Sequence, residues 1–431
     1  MTPSSAKTIR PAKNLLGSLR LPGDKSISHR YAMLAAVAAG KTRLENFSTG
    51  ADCASTVSCV AALGCPVTKN GATVEIQGLP EGLNTRAVTL DCGNSGSTIR
   101  MLSGLLAGRG VSCDLVGDDS LSRRPMARVI DPLRQMGANI SAVQGHPPIH
   151  ISPSASPLRA ISYATPTPSA QVKTALLFAG LSAEGATEIT EAVRTRDHGE
   201  LALRAFGAEI HRSKTTVSME GGQQLQAITA FVPGDISSAA FFFCAAAIFP
   251  GCSLIIESLG LNPTRASLLD VLTALGARIS VINLEEHHGE LVGTVKVEHS
   301  ALRGLKLSGA LSAQLIDELP VLAAIAPYTE EGVEIRDAKE LRVKESDRIA
   351  AVAANLRKMG AEVEEFDDGL RVPGRQALHG AELDSLGDHR IAMAFAVAAL
   401  RAEGDTLIHN ADAANISFPE FWNMLDSVCD R

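Results

Sequence analysis

Six Ala-rich segments recur along the 431-residue chain, and each is opened by polar or charged residues and closed by glycine. They are Asp24–Gly40, Asn94–Gly110, Ser169–Gly185, Asp235–Gly251, Gln314–Gly332 and Asp388–Gly404. Each segment predicts a helix, because polar residues favour helix starts and glycine favours helix ends. Successive copies lie roughly 70 residues apart, which indicates one repeated structural unit.

A second landmark repeats at the same spacing and completes the predicted unit. It is an apolar residue followed by Gly and then Ala or Cys, as in Met136-Gly137-Ala138 and Leu275-Gly276-Ala277. The alternating stretches that follow predict hairpins. Each unit is therefore predicted to be strand, helix, strand, helix and hairpin. Such a unit cannot close a core alone, so the units must pack together.

Two groups of three units fit the usual domain sizes better than a linear solenoid does. The turn residues Phe231-Val232-Pro233-Gly234 mark the change of domain midway along the chain. We expect the opening segment, Thr8 to Leu21, to pair with the C-terminal half and supply a strand that the shortened sixth unit lacks. The predicted domains are residues 22–232, and residues 1–21 together with 233–431.

Composition excludes several classes of function. A formal charge of -7 and a pI near 5.9 argue against nucleic acid or an anionic membrane as the main partner. The eight cysteines form no C-x-x-C pair, which favours reduced, buried thiols in a cytosolic protein. No apolar run has transmembrane length, and residues 1–17 lack the apolar core of a signal peptide. We expect a cytoplasmic protein.

The first helix start carries Lys25, Ser26 and Arg30 directly after the Pro22-Gly23 turn. A helix N-terminus is already partly positive, so cations there are unfavourable unless an anion binds between them. A phosphate group would satisfy this arrangement. The alternative is that both basic side chains simply reach into water.

The second helix start, Asn94-Ser95-Gly96-Ser97-Thr98, resembles a phosphate cradle of small residues. Gly96 allows close approach of a ligand to the backbone, and the helix amides add donors. The alternative is ordinary helix capping by Asn or Ser, which general preference favours. The third start, Ser169-Ala170-Gln171, is polar in the same way.

Two further stretches concentrate charge. Arg123 and Arg124 lie in the polar loop 120–126, and residues 342–348 carry five charged side chains. A solvated helix face is the alternative for 342–348, although like charges at Lys344 and Arg348 repel at that spacing. Six basic residues from different parts of the chain could together bind two separate anionic groups. They are Lys25, Arg30, Arg124, Lys344, Arg348 and Arg390. Asp317 and Glu345 are then candidates for proton transfer.

These motifs, in order along nearly the whole chain, resemble the 5-enolpyruvylshikimate-3-phosphate synthase family. The matching segments are Leu21–Arg30, Asn94–Arg100, Arg123–Met126, Ser169–Lys173, Arg194–His198, Arg342–Arg348 and Asp388–Met393. Residues 165–171 and 195–198 are more similar to the second bacterial class than to the first. The resemblance implies an α/β fold, the two-domain inside-out αβ barrel of enolpyruvyl transferases. Each domain would have three βαβαββ repeats, with the active site in the cleft between them and without cofactor or metal.

The resemblance also implies a role for particular residues. Shikimate 3-phosphate would contact Lys25, Ser26, Arg30, Ser169, Ala170, Gln171, Arg196, Asp317 and Lys344. Phosphoenolpyruvate would contact Lys25, Gly96, Arg124, Gln171, Arg348 and Arg390. Asp317 would take the proton of the 5-hydroxyl, and Glu345 with Lys25 would deliver a proton to the methylene carbon. Glyphosate is the inhibitor that the resemblance implies, and we expect a monomer.

Some positions differ from the first class of the family. Glu340 stands in place of an asparagine, and Ile416 stands in place of a lysine, so those two contacts are not expected here. There are three alternatives: the UDP-N-acetylglucosamine enolpyruvyl transferases, the RNA 3′-phosphate cyclases and a non-catalytic repeat scaffold. The first uses a loop cysteine that residues 120–124 lack, and the second is disfavoured by the acidic charge balance. A scaffold would not require cations at helix starts.

Overall fold

The structure is a computed structural model that describes residues 5–84 and 87–431. Short strands follow one another along the whole described chain. They are β1 Ala6–Ile9, β2 Asn14–Arg20, β3 Lys41–Glu45, β4 Val67–Asn70, β5 Thr73–Gln77, β6 Val88–Asp91, β7 Cys113–Val116, β8 Asn139–Val143, β9 His146–Ser152, β10 Ser162–Thr165, β11 Ala186–Glu191, β12 His211–Ser213, β13 Thr216–Glu220, β14 Thr229–Phe231, β15 Ser253–Gly260, β16 Arg278–His287, β17 Glu290–Glu298, β18 Gly304–Leu307, β19 Gly332–Ile335, β20 Glu364–Phe366, β21 Gly369–Val372, β22 Glu382–Asp384, β23 Thr406–His409 and β24 Cys429–Asp430.

Helices alternate with these strands. They are α1 Lys25–Val37, α2 Ala51–Ala62, α3 Gly96–Arg109, α4 Ala127–Gln135, α5 Ala170–Gly180, α6 His198–Ala205, α7 Ile236–Ile248, α8 Ser267–Leu275, α9 Gly309–Gln314, α10 Leu319–Ile325, α11 Arg348–Lys358, α12 His389–Ala399 and α13 Phe421–Val428. Short 3-10 helices cover Leu121–Arg123, Ala326–Tyr328, Lys339–Val343 and Ala411–Ile416.

The predicted repeat is confirmed by the sheet topology. The second repeat has the sheet order β6-β7-β9-β8, in which β6 and β7 are parallel and β8–β9 is an antiparallel hairpin. The third and fifth repeats have the same order, β10-β11-β13-β12 and β18-β19-β21-β20. Since α3 and α4 separate these strands along the chain, the unit is βαβαββ as expected.

The first and fourth repeats exchange their first strands. β2 precedes α1 in sequence but runs parallel to β15, with Leu16 opposite Ser253. β14 precedes α7 in sequence but runs parallel to β3, with Thr229 opposite Arg43. The sheet orders are therefore β14-β3-β5-β4 and β16-β17-β15-β2-β24. Each of these two sheets is completed by a segment from a distant part of the chain.

The sixth repeat is completed by the start of the chain, although the strand that does so, β1, begins before the predicted segment Thr8 to Leu21 and overlaps it only at the segment's first two residues. β1 pairs antiparallel with β23, from Ala6 opposite His409 to Ile9 opposite Thr406, and β23 pairs in parallel with β22. In the sixth repeat β1 therefore occupies the position that a strand of the hairpin occupies in the other repeats. The prediction did not include the second contribution of the same segment, which is the pairing of β2 with β15.

The Ala-rich helices are the buried ones. Nearly every residue of α1, α3, α5, α7, α10 and α12 is buried. Small side chains let these helices pack closely: a Cβ atom added at Gly104 of α3 would lie 2.0 Å from the carbonyl oxygen of Ala175 in α5. Most of them start with a side-chain cap, from Asp24, Ser95, Ser169, Asp235 and Asp388. Burial of these starts makes satisfied end groups necessary.

The chain forms two compact units, each with its own hydrophobic core. The N-terminal unit contains Pro22–Val232 and also Glu286–Glu290. The C-terminal unit contains the chain up to Leu21, Pro233–Glu285 and Leu291–Arg431. The inclusion of Glu286–Glu290, the tip of the β16–β17 hairpin, in the N-terminal unit was not anticipated from sequence.

The cysteines and the helix lengths bear on the cellular setting. All eight cysteines are free thiols and seven of them are buried, as expected. Across residues 5–84 and 87–431, none of the helices combines the length and the apolar character required to cross a membrane.

Candidate active site

Lys25 is the first residue of α1 and lies in the N-terminal unit. Asp24 caps the helix by accepting a hydrogen bond from the Ile27 amide, at 3.0 Å. The Lys25 Nζ atom lies 2.9 Å from Oδ2 of Asp52, in the first turn of α2. The Lys25 side chain remains 20% exposed. The ammonium group of Lys25 is therefore held at the helix start by the Asp52 carboxylate and does not extend into solvent.

Arg30 lies one turn further along α1 and is buried. Its Nη1 donates to the carbonyl of Ser26 at 2.8 Å, and its Nη2 donates to Oγ1 of Thr174 in α5 at 3.0 Å. Burial lowers the pKa of Arg30 to about 10, with Arg196 adding to this effect while Glu200, Asp24 and Glu290 oppose it. The suggestion that Arg30 reaches into water is wrong, because packing and hydrogen bonds enclose the guanidinium group.

Gly96 begins α3 and lies beside two arginines. A Cβ atom added at Gly96 would be 2.7 Å from Nη1 of Arg100 and 3.3 Å from Nη1 of Arg124. Arg100 donates to Oε1 of Gln171 at 2.9 Å, and Arg124 donates to Oδ1 of Asn94 at 2.7 Å. Glycine at this helix start therefore lets the two guanidinium groups lie close to the helix backbone, where any side chain would meet Arg100.

Residues 94–98 include a helix cap, as the capping interpretation predicts, and also a side chain that holds Arg124. Ser95 is the cap, because its Oγ accepts from the Thr98 amide at 3.1 Å. Asn94 does not cap; its side chain lies between Asp118 and Arg124. The polar residues here thus fix the helix start and one of the arginines.

A buried chain of hydrogen bonds joins α1, the middle of α2 and the start of α3. Nδ1 of His29 lies 2.6 Å from Oγ1 of Thr56, which lies 2.7 Å from Oγ1 of Thr98, and Thr98 reaches Ser95 at 2.7 Å. Burial, followed by the charges of Lys25 and Arg30, lowers the pKa of His29 well below its ordinary value. Neutral His29 therefore belongs to the scaffold of the N-terminal unit and adds no charge to it.

Helix α5 completes this part of the site. Ser169 is its cap and accepts from the Val172 amide at 3.4 Å, while Gln171 bridges to α3 by donating to Oγ of Ser97 at 2.9 Å. Lys173 instead points into the core, where it pairs with Glu191 at 2.8 Å and Glu200 at 2.9 Å. The structure thus brings together the starts of α1, α3 and α5 with Lys25, Ser26, Arg30, Gly96, Arg124, Ser169, Ala170 and Gln171. Arg196 acts electrostatically on Arg30.

The remaining predicted residues belong to the C-terminal unit and centre on Arg348, the first residue of α11. Its Nε donates to Oδ2 of Asp388 at 2.8 Å, and its Nη2 donates to Oε2 of Glu345 at 2.7 Å. Its Nη1 lies 3.5 Å from Oδ1 of Asp317. One buried guanidinium group therefore touches both carboxylates predicted to transfer protons.

The electrostatics of this cluster depend on desolvation and on charge pairing. Burial disfavours the charge of Arg348, but Asp388, Glu345 and Asp317 outweigh burial and raise its pKa. Burial likewise works against the Asp388 carboxylate, yet Arg348 outweighs it and the pKa of Asp388 is lowered. Desolvation lowers the pKa of Lys344, with Arg348 adding to it and Asp317 and Glu345 opposing it. The solvated helix face suggested for residues 342–348 is wrong, since Arg348 is only 1% exposed.

Arg390 lies in the first turn of α12 and is 7% exposed. Its Nη1 is 3.9 Å from Oε1 of Glu318, and its Nε and Nη1 have no hydrogen-bond partner within the described chain. Glu318 is held instead by Ser237, which also contacts Arg265. A buried guanidinium group with unused donors suits an anionic ligand.

Several residues of the site were missed from sequence. Asp52 and Asp388 each fix a predicted cation, and Glu318 lies beside Arg390. Asp388 stands in a recognised motif, so its role as a cap was accessible, whereas its pairing with Arg348 was not. No local pattern marks Asp52, which meets Lys25 only because α1 and α2 pack together.

Comparison with known proteins gives one consistent family. The family model of EPSP synthase (3-phosphoshikimate 1-carboxyvinyltransferase) matches residues 9–425. A protein of Koribacter versatilis named 3-phosphoshikimate 1-carboxyvinyltransferase is 61% identical over 98% of this chain and 99% of its own length. One of the same name from Solibacter usitatus is 54% identical over 98% of this chain and all of its own length.

Solved structures agree with the sequence relatives. An EPSP synthase structure from Acinetobacter baumannii superposes with a TM-score of 0.88 at 38% identity, and the match covers 99% of this chain and 98% of that one. The two-domain α/β fold implied by the resemblance is confirmed by this likeness. Since both the family model and the relatives cover nearly the whole length, the chain belongs to the EPSP synthase (3-phosphoshikimate 1-carboxyvinyltransferase) family.

Proposed function

We propose that this chain transfers the enolpyruvyl group of phosphoenolpyruvate to the 5-hydroxyl of shikimate 3-phosphate and releases phosphate, in the biosynthesis of aromatic amino acids. As a member of its family it is a transferase (EC 2.5.1.19). The observation that carries the proposal is the match of sequence and structure to this family across the whole chain. The buried cations at helix starts support it, because two phosphates and a carboxylate must be held together.

Shikimate 3-phosphate binding is assigned to residues of both units. In the N-terminal unit the assigned residues are Lys25, Ser26, Arg30, Ser169, Ala170, Gln171 and Arg196. In the C-terminal unit they are Asp317 and Lys344. Support comes from Arg30 and Gln171, which are already held in place by Thr174 and Ser97. A side chain that is fixed before binding loses less entropy when the ligand arrives.

Phosphoenolpyruvate binding is assigned to a second set of residues. They are Lys25, Gly96, Arg124 and Gln171 in the N-terminal unit, with Arg348 and Arg390 in the C-terminal unit. The close approach of Arg124 to the backbone at Gly96 supports this assignment, as do the unused donors of Arg390. Because each set includes residues of both units, the proposal requires the two domains, 22–232 and 1–21 with 233–431, to act on one pair of substrates in the cleft between them.

The mechanism is addition followed by elimination. Asp317 accepts the proton of the 5-hydroxyl as its oxygen attacks the enol carbon, and Glu345 with Lys25 delivers a proton to the methylene carbon. The tetrahedral adduct then loses phosphate and one proton of its methyl group, which re-forms the C=C bond and gives the enol ether product. Arg348 contacts Asp317 and Glu345, so one cation orients the acid and the base.

Three finer properties complete the proposal. The protein is inhibited by glyphosate, which competes for the space at Gly96. It acts as a monomer, and it works in the cytoplasm, where reduced cysteines such as those found here are stable.

The alternatives receive less support. The UDP-N-acetylglucosamine transferase requires a loop cysteine, but Cys113 is buried in β7 and loop 120–124 contains none. A non-catalytic scaffold would not require the cluster of three carboxylates around the buried Arg348. Phosphorus NMR tests the proposal: incubation with both substrates should replace the phosphoenolpyruvate signal by inorganic phosphate, while the signal of the 3-phosphate ester on shikimate is retained. Loss of the phosphoenolpyruvate signal only with UDP-N-acetylglucosamine would overturn it.

A further inference from the structure

The β16–β17 hairpin ends in a two-residue turn, His288-Gly289. Both turn residues have positive φ, 53° and 81°, which the tight turns favoured in hairpins require. The strands belong largely to the C-terminal unit, but the tip, Glu286–Glu290, belongs to the N-terminal unit. The hairpin thus brings a short piece of the second half of the chain to residues of the first half.

Specific contacts hold this tip. Nε2 of His288 lies 3.2 Å from the carbonyl oxygen of Thr229 in β14. A Cβ atom added at Gly289 would lie 3.2 Å from the Leu201 side chain in α6, so the turn lies close against that helix. Glu290, the first residue of β17, is only 3% exposed. The turn therefore packs against the N-terminal unit and places the Glu290 carboxylate in a buried position.

The buried Glu290 carboxylate meets the start of α6. Its Oε1 lies 2.6 Å from Nδ1 of His198, which is the first residue of α6 and is 2% exposed. His198 belongs to the Arg194–His198 motif, yet the proposed mechanism gives it no task. It lies two residues after Arg196, so the pair fixes the helix start that follows this arginine.

The same carboxylate acts on Arg30. Burial and Arg196 disfavour the charge of Arg30, whereas Glu200, Asp24 and Glu290 support it. His29 also interacts with Arg30 but is held neutral by burial. The like charges of Arg30 and Arg196 repel, and these carboxylates therefore favour the charged form of Arg30 before a ligand arrives.

We propose that Glu290 is a positioning residue for shikimate 3-phosphate, which holds the start of α6 through its buried contact with His198 and so fixes the helix that follows Arg196. This inference rests on the assignment of Arg30 and Arg196 to that substrate. It makes the substrate site of the N-terminal unit dependent on a residue more than fifty positions beyond the end of residues 22–232. The competing account is that Glu290 only anchors the hairpin.

Three variants separate charge from packing. Glu290→Gln keeps the shape and removes the charge, whereas Glu290→Asp keeps the charge and shortens the side chain. Glu298→Gln, at the far end of the same strand and paired with Lys296 at 2.9 Å, is the matched control. Steady-state kinetics on the full chain would give the KM of each substrate with the other saturating, and thermal unfolding would report on the fold.

If Glu290 acts through its charge, the Gln variant raises the KM of shikimate 3-phosphate about tenfold, the loss expected from one charge-assisted contact. The KM of phosphoenolpyruvate stays within twofold, and the Asp variant stays close to the unmodified protein.

An anchoring role predicts the reverse order, with the isosteric Gln variant active and the Asp variant impaired. That order, or an equal rise of both KM values, or the same effect from Glu298→Gln, would overturn the inference. Should the Gln variant not fold, the Asp variant decides, since a tenfold rise in its KM for shikimate 3-phosphate contradicts a role through charge. If the unmodified protein does not turn over shikimate 3-phosphate, the proposed function fails first and this inference fails with it.

Discussion

Lys25 and Asp52 form an ion pair of 2.9 Å between the first residue of α1 and the first turn of α2. The pair aims a single ammonium group at the place where both substrates are proposed to meet. Lys25→Met should lower kcat/KM by at least about a hundredfold, since a charge-assisted contact is worth roughly 1.5–3 kcal/mol and two substrates lose one each. Steady-state kinetics would measure the loss, and circular dichroism should show an unchanged fold.

Lys41→Met is the matched control for this prediction. Lys41 is 57% exposed and pairs with Glu75 on the sheet surface, so its loss should leave turnover unaltered. A Lys25→Met variant that keeps more than about a tenth of the activity would contradict the role of Lys25, because one such contact alone exceeds that factor.

Asp317 lies 3.5 Å from Nη1 of Arg348 and is proposed to accept the proton of the 5-hydroxyl. Asp317→Ala should reduce kcat by about 10²–10⁴-fold, the usual contribution of a general base, with a much smaller change in the KM of phosphoenolpyruvate. Asp270→Ala, an exposed acidic residue in the first turn of α8, serves as control. Equal losses in kcat and in phosphoenolpyruvate binding would instead indicate a structural role for Asp317.

The repeated elements of this fold could be predicted from sequence, because they are encoded locally. Capping residues, alanine and a closing glycine mark each buried helix, and alternation marks the hairpins. The role of β1 followed from counting, since the shortened sixth repeat lacked a strand. Strand pairing between distant segments could not be predicted. No local pattern in Asn14–Arg20 indicates that this strand pairs with Ser253–Gly260 and not with a strand close to it in sequence.

The same limit applies to the site. Cations at helix starts were visible, and the family resemblance named most of the proposed ligands. The partners of these residues were not visible in the sequence. Asp52 contacts Lys25, and Glu290 contacts His198, only because distant segments pack together. A buried carboxylate carries no mark in the sequence that distinguishes it from a surface carboxylate.

A methyl group at Gly96 would crowd the side chains of Arg100 and Arg124. The nearest atoms to an added Cβ are the ends of Arg100 and Arg124, which are flexible side chains and can shift without unfolding the helix. Gly96→Ala should therefore raise the inhibition constant of glyphosate about tenfold to a hundredfold, the scale of roughly 1–3 kcal/mol for crowding a tight site. The KM of phosphoenolpyruvate should rise less, because the shorter substrate requires less of that space.

Gly104→Ala provides the contrast in the same helix. There the added Cβ would meet the backbone of α5, which cannot move aside, so stability should fall while the selectivity between inhibitor and substrate stays the same. If Gly96→Ala raises the inhibition constant and the KM by one common factor, selective crowding at Gly96 is wrong. An unmodified protein that already tolerates glyphosate would show that another residue shapes the pocket.

His29 should make the protein less stable in mild acid. Its pKa is lowered in the folded state by burial and by Lys25 and Arg30, so the unfolded chain binds the proton first as the pH falls. The free energy of unfolding should therefore decrease below the ordinary histidine pKa of about 6.5, by up to about 1.4 kcal/mol per pH unit. Urea unfolding at pH 7 and pH 5.5 would measure the decrease.

His29→Asn removes the titrating group and retains a partner for Thr56, so its stability should depend less on pH over this interval. An unchanged slope in His29→Asn would show that other groups cause the loss of stability in acid.

The central claim is that residues of the two units act on one reaction, and a kinetic double-mutant cycle of Lys25→Met and Asp317→Ala tests it most directly. Phosphate release from phosphoenolpyruvate with shikimate 3-phosphate would be measured for both single variants and for the double variant. Residues that act on the same event are strongly non-additive. The account predicts a double variant about as slow as the slower single variant. Rate losses that simply multiply would contradict it, because they would mean that Lys25 and Asp317 act independently.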